Sequence, residues 1–286
     1  MHFIDVHIHG FSGIDTKDAT PQEILTIARL LAGQGIRGFV PTIYPRHIDK
    51  MRMDMENITK AIAIQKSGGR GNEAEILGIH LEGPFLNPLR SGALDANAFL
   101  APTEDNLKML IDGFEDIIKI IVIAPEIDGA LHLIKKIANI GIIVSMGHSE
   151  ADYAEAEAGF NAGAKGITHI FNAMRGFHHR EPGLAGFGII NPHVYIELIT
   201  DPYHLHIKTI EMVFRIKNPD RIIIVSDSVK NTGIMSPVAD NGDTLLGGSM
   251  SINQSAKRLI GRGFNRDKVL RCIVENPAGY LKGIFG

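Results

Sequence analysis

Eight short runs rich in β-branched residues alternate along the chain with longer amphipathic stretches, and several runs end on a residue that can bind a metal. The runs lie at 3–8, 36–43, 75–81, 119–124, 141–146, 166–170, 194–200 and 221–226. Some, such as Ile120-Ile121-Val122-Ile123 and Ile222-Ile223-Ile224-Val225, are continuously apolar, as expected of parallel strands covered on both faces. Helical patterns fill the gaps. Thr20-Pro21-Gln22-Glu23 reads as a capping box with Pro at the first helical position, ahead of Ile24, Ile27, Ala28 and Leu31 on one face and Gly33 and Gly35 as a stop. Ser149, with Asp152 three residues on, suggests a second helix start. Further helical segments are expected near 47–66, 103–113, 128–139, 205–217, 249–261 and 265–275. Eight parallel strands with intervening helices in about 250 residues predict an α/β fold of the (β/α)8 TIM-barrel type. One catalytic domain is expected over 1–286, with no repeat, low-complexity tract or linker.

The candidate metal ligands support a closed barrel over an open doubly wound sheet. His7 and His9, Glu82, His148, His169 and Asp227 fall at or just past the ends of strands 1, 3, 5, 6 and 8. Strand ends so spaced converge only if the sheet closes, and a barrel keeps its active site at that end. His7 and His9 are two apart in a strand, so their side chains share a face. Alone, one such histidine would more readily be a hydrogen-bonded core residue, and it is the pair that favours metal binding. His169 lies inside the apolar Ile167-Thr168-His169-Ile170-Phe171, where an unpartnered imidazole is costly to bury. Alone, Asp227 would read equally well as an N-cap or turn residue. Taken with Glu82 and the four histidines, it reads as part of one site.

A mixed histidine and carboxylate set favours a divalent transition metal, zinc first with iron, manganese or cobalt as alternatives, in one or two ions. Calcium prefers all-oxygen shells. Such a site lowers the pKa of bound water from 15.7 to about 7 and polarises carbonyls, so hydrolysis is the expected reaction.

Composition narrows the remaining classes. With 286 residues, 44% of them hydrophobic, the chain can bury a large core. No apolar run approaches the ~20 residues that span a bilayer. The start, Met1-His2-Phe3-Ile4-Asp5, lacks a basic region and a cleavable apolar segment, so a cytoplasmic protein without membrane partners is expected. The lone Cys272 cannot form an internal disulfide and sits in an apolar helical pattern, where packing is its expected role. A net charge of -3 with scattered Lys and Arg gives no footprint for nucleic acid.

Two loops draw notice. Ser67-Gly68-Gly69-Arg70-Gly71 looks like a phosphate cradle but precedes strand 3, which puts it on the barrel's inactive face. The segment Asn172 to Gly183 follows strand 6 on the active face and carries Arg175, His178, His179 and Arg180. An arginine fork there suits bidentate phosphate binding, although a solvated surface loop has the same composition.

Taken together, His7-Ile8-His9-Gly10, His80-Leu81-Glu82-Gly83-Pro84-Phe85-Leu86-Asn87-Pro88, Gly147-His148-Ser149, Thr168-His169-Ile170-Phe171-Asn172-Ala173-Met174, Arg180-Glu181-Pro182-Gly183 and Ser226-Asp227 resemble the N-acetylglucosamine-6-phosphate deacetylase family of the amidohydrolase superfamily. The resemblance spans nearly the whole chain. It implies Glu82, His148 and His169 as principal metal ligands, with His7 and His9 matching members that hold a second ion completed by Glu82 and Asp227. It implies that Asp227 takes a proton from the activated water and passes it to the leaving amine, and that His204 contacts substrate and helps polarise the amide. Asn172, Ala173 and Arg180 match phosphate-contacting positions. The implied partner is a small amino sugar phosphate, and the implied assembly is a homodimer in which Arg180 reaches the neighbouring site.

The chain departs from that pattern in places. The family carries a small β-sandwich built from residues before the first strand and after the last helix, whereas this chain starts at strand 1 and stops at Gly286, so a barrel alone is expected. Leu94 stands where the family usually has a histidine, Pro202 replaces a usual glycine, and the loop after Asp227 reaches Leu245-Leu246-Gly247-Gly248-Ser249 sooner. The expected activity is removal of the N-acetyl group from N-acetylglucosamine 6-phosphate. Alternatives are an amidohydrolase for another amide and a non-catalytic sugar-phosphate binder. Many cyclic-amide enzymes use a carboxylated lysine at the end of strand 4, but Lys119 lies at that strand's beginning.

Overall fold

The computed structural model describes residues 2–68, 71–235 and 244–282. Eight parallel strands form the barrel: β1 (Phe3–Ile8), β2 (Ile36–Ile43), β3 (Ile79–Phe85), β4 (Ile118–Ile123), β5 (Ile143–Met146), β6 (Gly166–Ile167), β7 (Tyr195–Ile199) and β8 (Ile222–Val225). Each pairs with the next in chain order. β1 and β8 meet just beyond the end of β8, where Ile8 bridges Ser228, the His9 amide donates to the Ser228 carbonyl at 2.7 Å and the Asp227 amide donates to the His7 carbonyl at 3.0 Å. The barrel is thus nearly closed, and the closing contacts are made by the backbone of the candidate ligands His7, His9 and Asp227 and their immediate neighbours.

Helices α1 (Pro21–Gly33), α2 (Ile48–Gly68), α3 (Glu104–Ile111), α4 (Ala130–Ile140), α5 (Tyr153–Ala162), α6 (Gly183–Ile190), α7 (Ile207–Ile216) and α8 (Ile252–Gly261) cover the outside. They pack Ile24, Ile27, Met55, Leu133, Phe187 and Val213 against the outer strand faces. The capping box at Thr20 forms as its sequence predicts, with Thr20 and Glu23 exchanging bonds. Two further helices, α9 (Arg266–Arg271) and α10 (Glu275–Lys282), end the described chain. The barrel interior is a separate cluster of Val6, Val40, Ile120, Ile143, Ile199, Ile223 and Val225, closed from below by Tyr280 of α10. Gly166 makes room for that plug, since a Cβ there would lie 2.1 Å from the Tyr280 hydroxyl. Cys272 is buried, as its pattern predicts.

Several expected elements shift. The run 75–81 divides: Glu75–Ile76 is a short strand beside β2, and the barrel strand begins at Ile79 and carries Glu82 within it instead of in a following turn. Gly78 causes the break, with φ +145° and a Cβ position only 2.6 Å from the Ile117 carbonyl oxygen. β6 stops at Ile167 because the backbone turns into positive φ at His169. The helix expected from Ser149 is capped by Asp152, since the Ser149 hydroxyl donates to Glu126. The helix expected over 265–275 is two helices. α6 escapes pattern reading because Gly-Leu-Ala-Gly-Phe-Gly-Ile-Ile has three glycines and little polarity; it is buried on nearly every side, and packing overrides its poor propensity. Of the glycine-rich loop after α2, Gly69 and Arg70 lie outside the described residues, as do 236–243 of the loop after β8.

Candidate metal centre and the adjoining cavity

The strand ends bring four imidazoles onto one carboxylate. Glu82 Oε1 lies 3.1 Å from His148 Nε2, 3.0 Å from His169 Nε2 and 3.4 Å from His7 Nε2, while Oε2 lies 3.0 Å from His9 Nε2. Asp227 Oδ1 approaches His7 and His9 at 3.4 and 3.7 Å. Two groups of side chains therefore share Glu82, one with His7 and His9 and the other with His148 and His169, and the donor atoms within each lie no more than 4.8 Å apart. All five residues are buried. Asp227 keeps a partly open side chain, 14% exposed.

The local backbone is bent to make this convergence. His148, His169, Phe171, Ala173 and Asp227 all have φ between +28° and +76°, five of the seven non-glycine residues with positive φ among those described. Such conformations cost on the order of 1–3 kcal/mol each and persist where surroundings over-determine them. The surroundings here are explicit. Glu126, just past β4, accepts from Asn87 at 2.9 Å, the Ser149 hydroxyl at 2.7 Å and the Glu150 amide at 2.6 Å, tying three strand ends together. The Ser149 amide donates to the Ala173 carbonyl at 3.2 Å. Arg90 pairs with Glu150 and sets the loop beneath His148. Gly83, at φ +100°, lets the chain leave Glu82 past Leu86 and Pro45, which a Cβ would meet at 2.8 and 3.1 Å.

The proton inventory indicates that a cation belongs here. His148 Nδ1 lies 2.8 Å from the Arg90 carbonyl and His7 Nδ1 lies 3.1 Å from Glu197, so each ring, when neutral, keeps its proton on Nδ1 and turns an Nε2 lone pair inward. Yet His148 and His169 Nε2 are 3.2 Å apart, as are His7 and His9 Nε2, with carboxylate oxygens between them. Lone pairs packed this closely repel unless a proton or a metal ion lies between them. Burial alone would raise the Glu82 carboxyl, but the charge of His7 and His9 and hydrogen bonds from His148 and His169 hold it well below its usual range. Burial likewise opposes charge on His7 and His169; Asp227 and Glu82 outweigh it at His7, lifting that imidazole well above its ordinary value, and Glu82 does the same at His169. A metal ion would replace those protons. The residues present fit a divalent transition ion.

Beside this centre a cavity of about 270 Å³ is lined by Glu82, His148, His169, Asp227, Asn172, Ala173, His204 and Leu94. His204 Nδ1 donates to Asp201, 3.0 Å away, which leaves Nε2 free. Asp201 is held below its usual range: burial raises it, but the hydrogen bond and charge of His204 prevail. Asn172 donates its amide to the carbonyls of His169 and Ile170, at 3.1 and 3.3 Å, leaving its side-chain oxygen unused by those bonds. Leu94 and Leu246 also line a larger neighbouring cavity of about 1000 Å³ that contains none of the metal-centre residues. Arg180 is set apart. It is exposed on the loop after β6, does not line the cavity, and its guanidinium makes no hydrogen bond or ion pair among the described residues. Lys119 is near the start of β4, its amine 2.8 Å from the Asp116 carbonyl and remote from the centre.

Sequence reasoning missed Glu197, Glu126 and Asp201. A carboxylate inside the apolar run Val194-Tyr195-Ile196-Glu197-Leu198-Ile199 was the available signal for the first, and one following Ala124-Pro125 for the second.

No family model matches the chain. It is 36% identical to the N-acetylglucosamine-6-phosphate deacetylase of Vibrio furnissii over 231 residues, 81% of this chain and 56% of that protein. It is 33% identical to the Bacillus subtilis (strain 168) deacetylase of the same name, over 99% of this chain and 74% of that protein. The chain thus spans a little over half the length of one relative and about three quarters of the other. Among solved structures, the Mycobacterium smegmatis N-acetyl-D-glucosamine-6-phosphate deacetylase, in a substituted form with N-acetyl-D-glucosamine-6-phosphate, superimposes with a TM-score of 0.88 at 28% identity, covering 98% of this chain and 77% of that one. Barrel, strand-end residues and sequence agree, and the chain belongs to the N-acetylglucosamine-6-phosphate deacetylase family.

Proposed function

We propose that this chain is a metal-dependent hydrolase that removes the N-acetyl group from N-acetylglucosamine 6-phosphate, releasing acetate and glucosamine 6-phosphate. One observation carries the reading: four imidazole nitrogens and Asp227 gather around Glu82 at the wall of a cavity that also contains Asn172, Ala173 and His204. The names of its relatives support the same chemistry. Zinc is the first candidate ion, with iron, manganese or cobalt as alternatives. Glu82, His148 and His169 would hold one ion, and His7, His9, Glu82 and Asp227 a second. A divalent ion there activates water and polarises an amide carbonyl.

The chain's own residues do the rest. Asp227, partly open to the cavity, takes a proton from the attacking water and returns it to the departing amine. His204, its ring fixed by Asp201, presents Nε2 to the amide oxygen. Asn172 and the Ala173 backbone, which line the cavity, receive the phosphate. Arg180, exposed on its own subunit, serves the site of a neighbouring subunit in a homodimer. A purely binding protein would have no use for the proton acceptor at Asp227.

The test is acetate release by zinc-reloaded protein from a panel of N-acetylglucosamine 6-phosphate, N-acetylgalactosamine 6-phosphate and the unphosphorylated sugars. The expected result is preference for a phosphorylated sugar. Tight sugar-phosphate binding without acetate would support the non-catalytic reading.

A further inference from the structure

Resting on that metal reading, we propose that Glu197 is a positioning residue: by fixing the proton of His7 on Nδ1, it determines whether the His7 and His9 side of the centre can hold an ion. Glu197 sits in β7 and points into the barrel, where it is 1% exposed. A carboxylate in such a place costs several kcal/mol to desolvate and stays only where a partner compensates. Its one hydrogen-bonding partner among the described residues is His7 Nδ1, 3.1 Å from Oε2, and Oε1 has none. His7 is itself wholly buried, so no solvent competes for that contact.

The consequence is chemical. A carboxylate only accepts, so the neutral imidazole must carry its proton on Nδ1. The Nε2 lone pair then faces Glu82, His9 and Asp227. In the opposite tautomer, Nε2 would donate to Glu82, and no ion could bind His7 through that nitrogen. The histidines of the centre are not equally constrained. His148 is fixed on the other side by the Arg90 carbonyl, whereas His9 and His169 have no partner at Nδ1 among the described residues. Each half of the centre therefore contains one histidine whose tautomer is imposed, and Glu197 imposes it for the His7 half. His80 is pinned by its own Nδ1, 2.9 Å from the Val6 carbonyl, and lies beside His7 and Glu197 without a hydrogen bond to either among the described residues.

The test is zinc titration of the full-length, chelator-stripped protein by competition with a chromophoric chelator, for wild type, Glu197→Gln and His7→Asn with and without Glu197→Gln. Glu197→Gln preserves size, but its amide can donate to Nδ1 and so favour the wrong tautomer. Wild type should bind two ions. Glu197→Gln should keep the tighter one and bind the other about 10- to 100-fold more weakly, the usual cost of losing such an outer partner. In the His7→Asn background the same change should have no further effect on affinity. Equal weakening of both ions, an unchanged second ion, or a wild type with one ion insensitive to Glu197→Gln would overturn the proposal. A wild type that binds no ion refutes the metal reading itself. Nitrogen-15 spectra of zinc-loaded, histidine-labelled wild type give a check that needs no variant: His7 should be protonated at Nδ1 alone, and a proton on Nε2 with Nδ1 bare would overturn the assignment.

Discussion

Replacing Asp227 by asparagine separates its proposed chemistry from its structural role. The backbone of Asp227 is held independently of its side chain, by its amide on the His7 carbonyl at 3.0 Å and its carbonyl on the Gly248 amide at 2.6 Å. Asparagine has the same shape, so the closure between β1 and β8 should survive. What changes is one charge, 3.4 Å from His7 Nε2 and 3.7 Å from His9 Nε2, and one proton acceptor at the cavity wall. An ion on the His7 side would lose one of its two carboxylates. Glu82, His148 and His169 are untouched, so an ion on their side should remain. Loss of a general acid/base group typically costs at least ~100-fold in rate, which corresponds to about 2.7 kcal/mol of barrier. The assay is acetate release and elemental zinc content measured on the same Asp227→Asn sample. We expect kcat reduced by at least ~100-fold, KM changed little and at least one ion per chain retained. Near-normal turnover would refute the assignment of the proton shuttle, and loss of all metal would show that the residue's role is to hold the ions.

Three further outcomes are expected. His148→Ala and His169→Ala should each lose the ion shared with Glu82, read by elemental analysis; metal content that survives both places the centre elsewhere. Arg180→Ala should lower kcat/KM for the phosphorylated sugar by about 10- to 150-fold, the equivalent of a charged hydrogen bond of roughly 1.5–3 kcal/mol, and leave the unphosphorylated sugar little changed; equal loss on both would mean that the arginine only shapes its loop. Lys217, 2% exposed, donates to the Gly188 and Asn191 carbonyls at the end of α6, and burial brings its amine from 10.5 down to about 7. Between those values the unfolded chain binds the extra proton, so stability should rise with pH across that window, by on the order of 5 kcal/mol at most; urea titrations of Lys217→Met should show the rise removed, and an unchanged slope would contradict the burial of charge.

The barrel and the strand-end histidines and carboxylates that converge in it were legible for different reasons. Continuously apolar runs such as Ile222–Val225 declare buried parallel strands, and chemically expensive residues at their ends, such as His169 after Gly166–Ile167, declare a site. What escaped depends on contacts distant in sequence. α6 has the composition of a loop and is helical because every side of it is packed. Glu75–Ile76 and β3 read as one strand until Gly78 meets the Ile117 carbonyl. Ser149 looked like a cap, but its hydroxyl is taken by Glu126 from another strand end. The residues that orient side chains of the site, Glu197 for His7 and Asp201 for His204, sit two strands or one turn away and follow no spacing rule.

The proposed chemistry requires that the side chains around Glu82 hold a metal ion. Crystals of the protein grown with zinc and measured at the zinc absorption edge test it directly. An anomalous peak is expected about 2.0–2.1 Å from the Nε2 atoms of His148 and His169 and bonded to Glu82, with a second peak on the His7 and His9 side when both positions fill. A map with no peak among these residues, in protein that releases acetate, would contradict it.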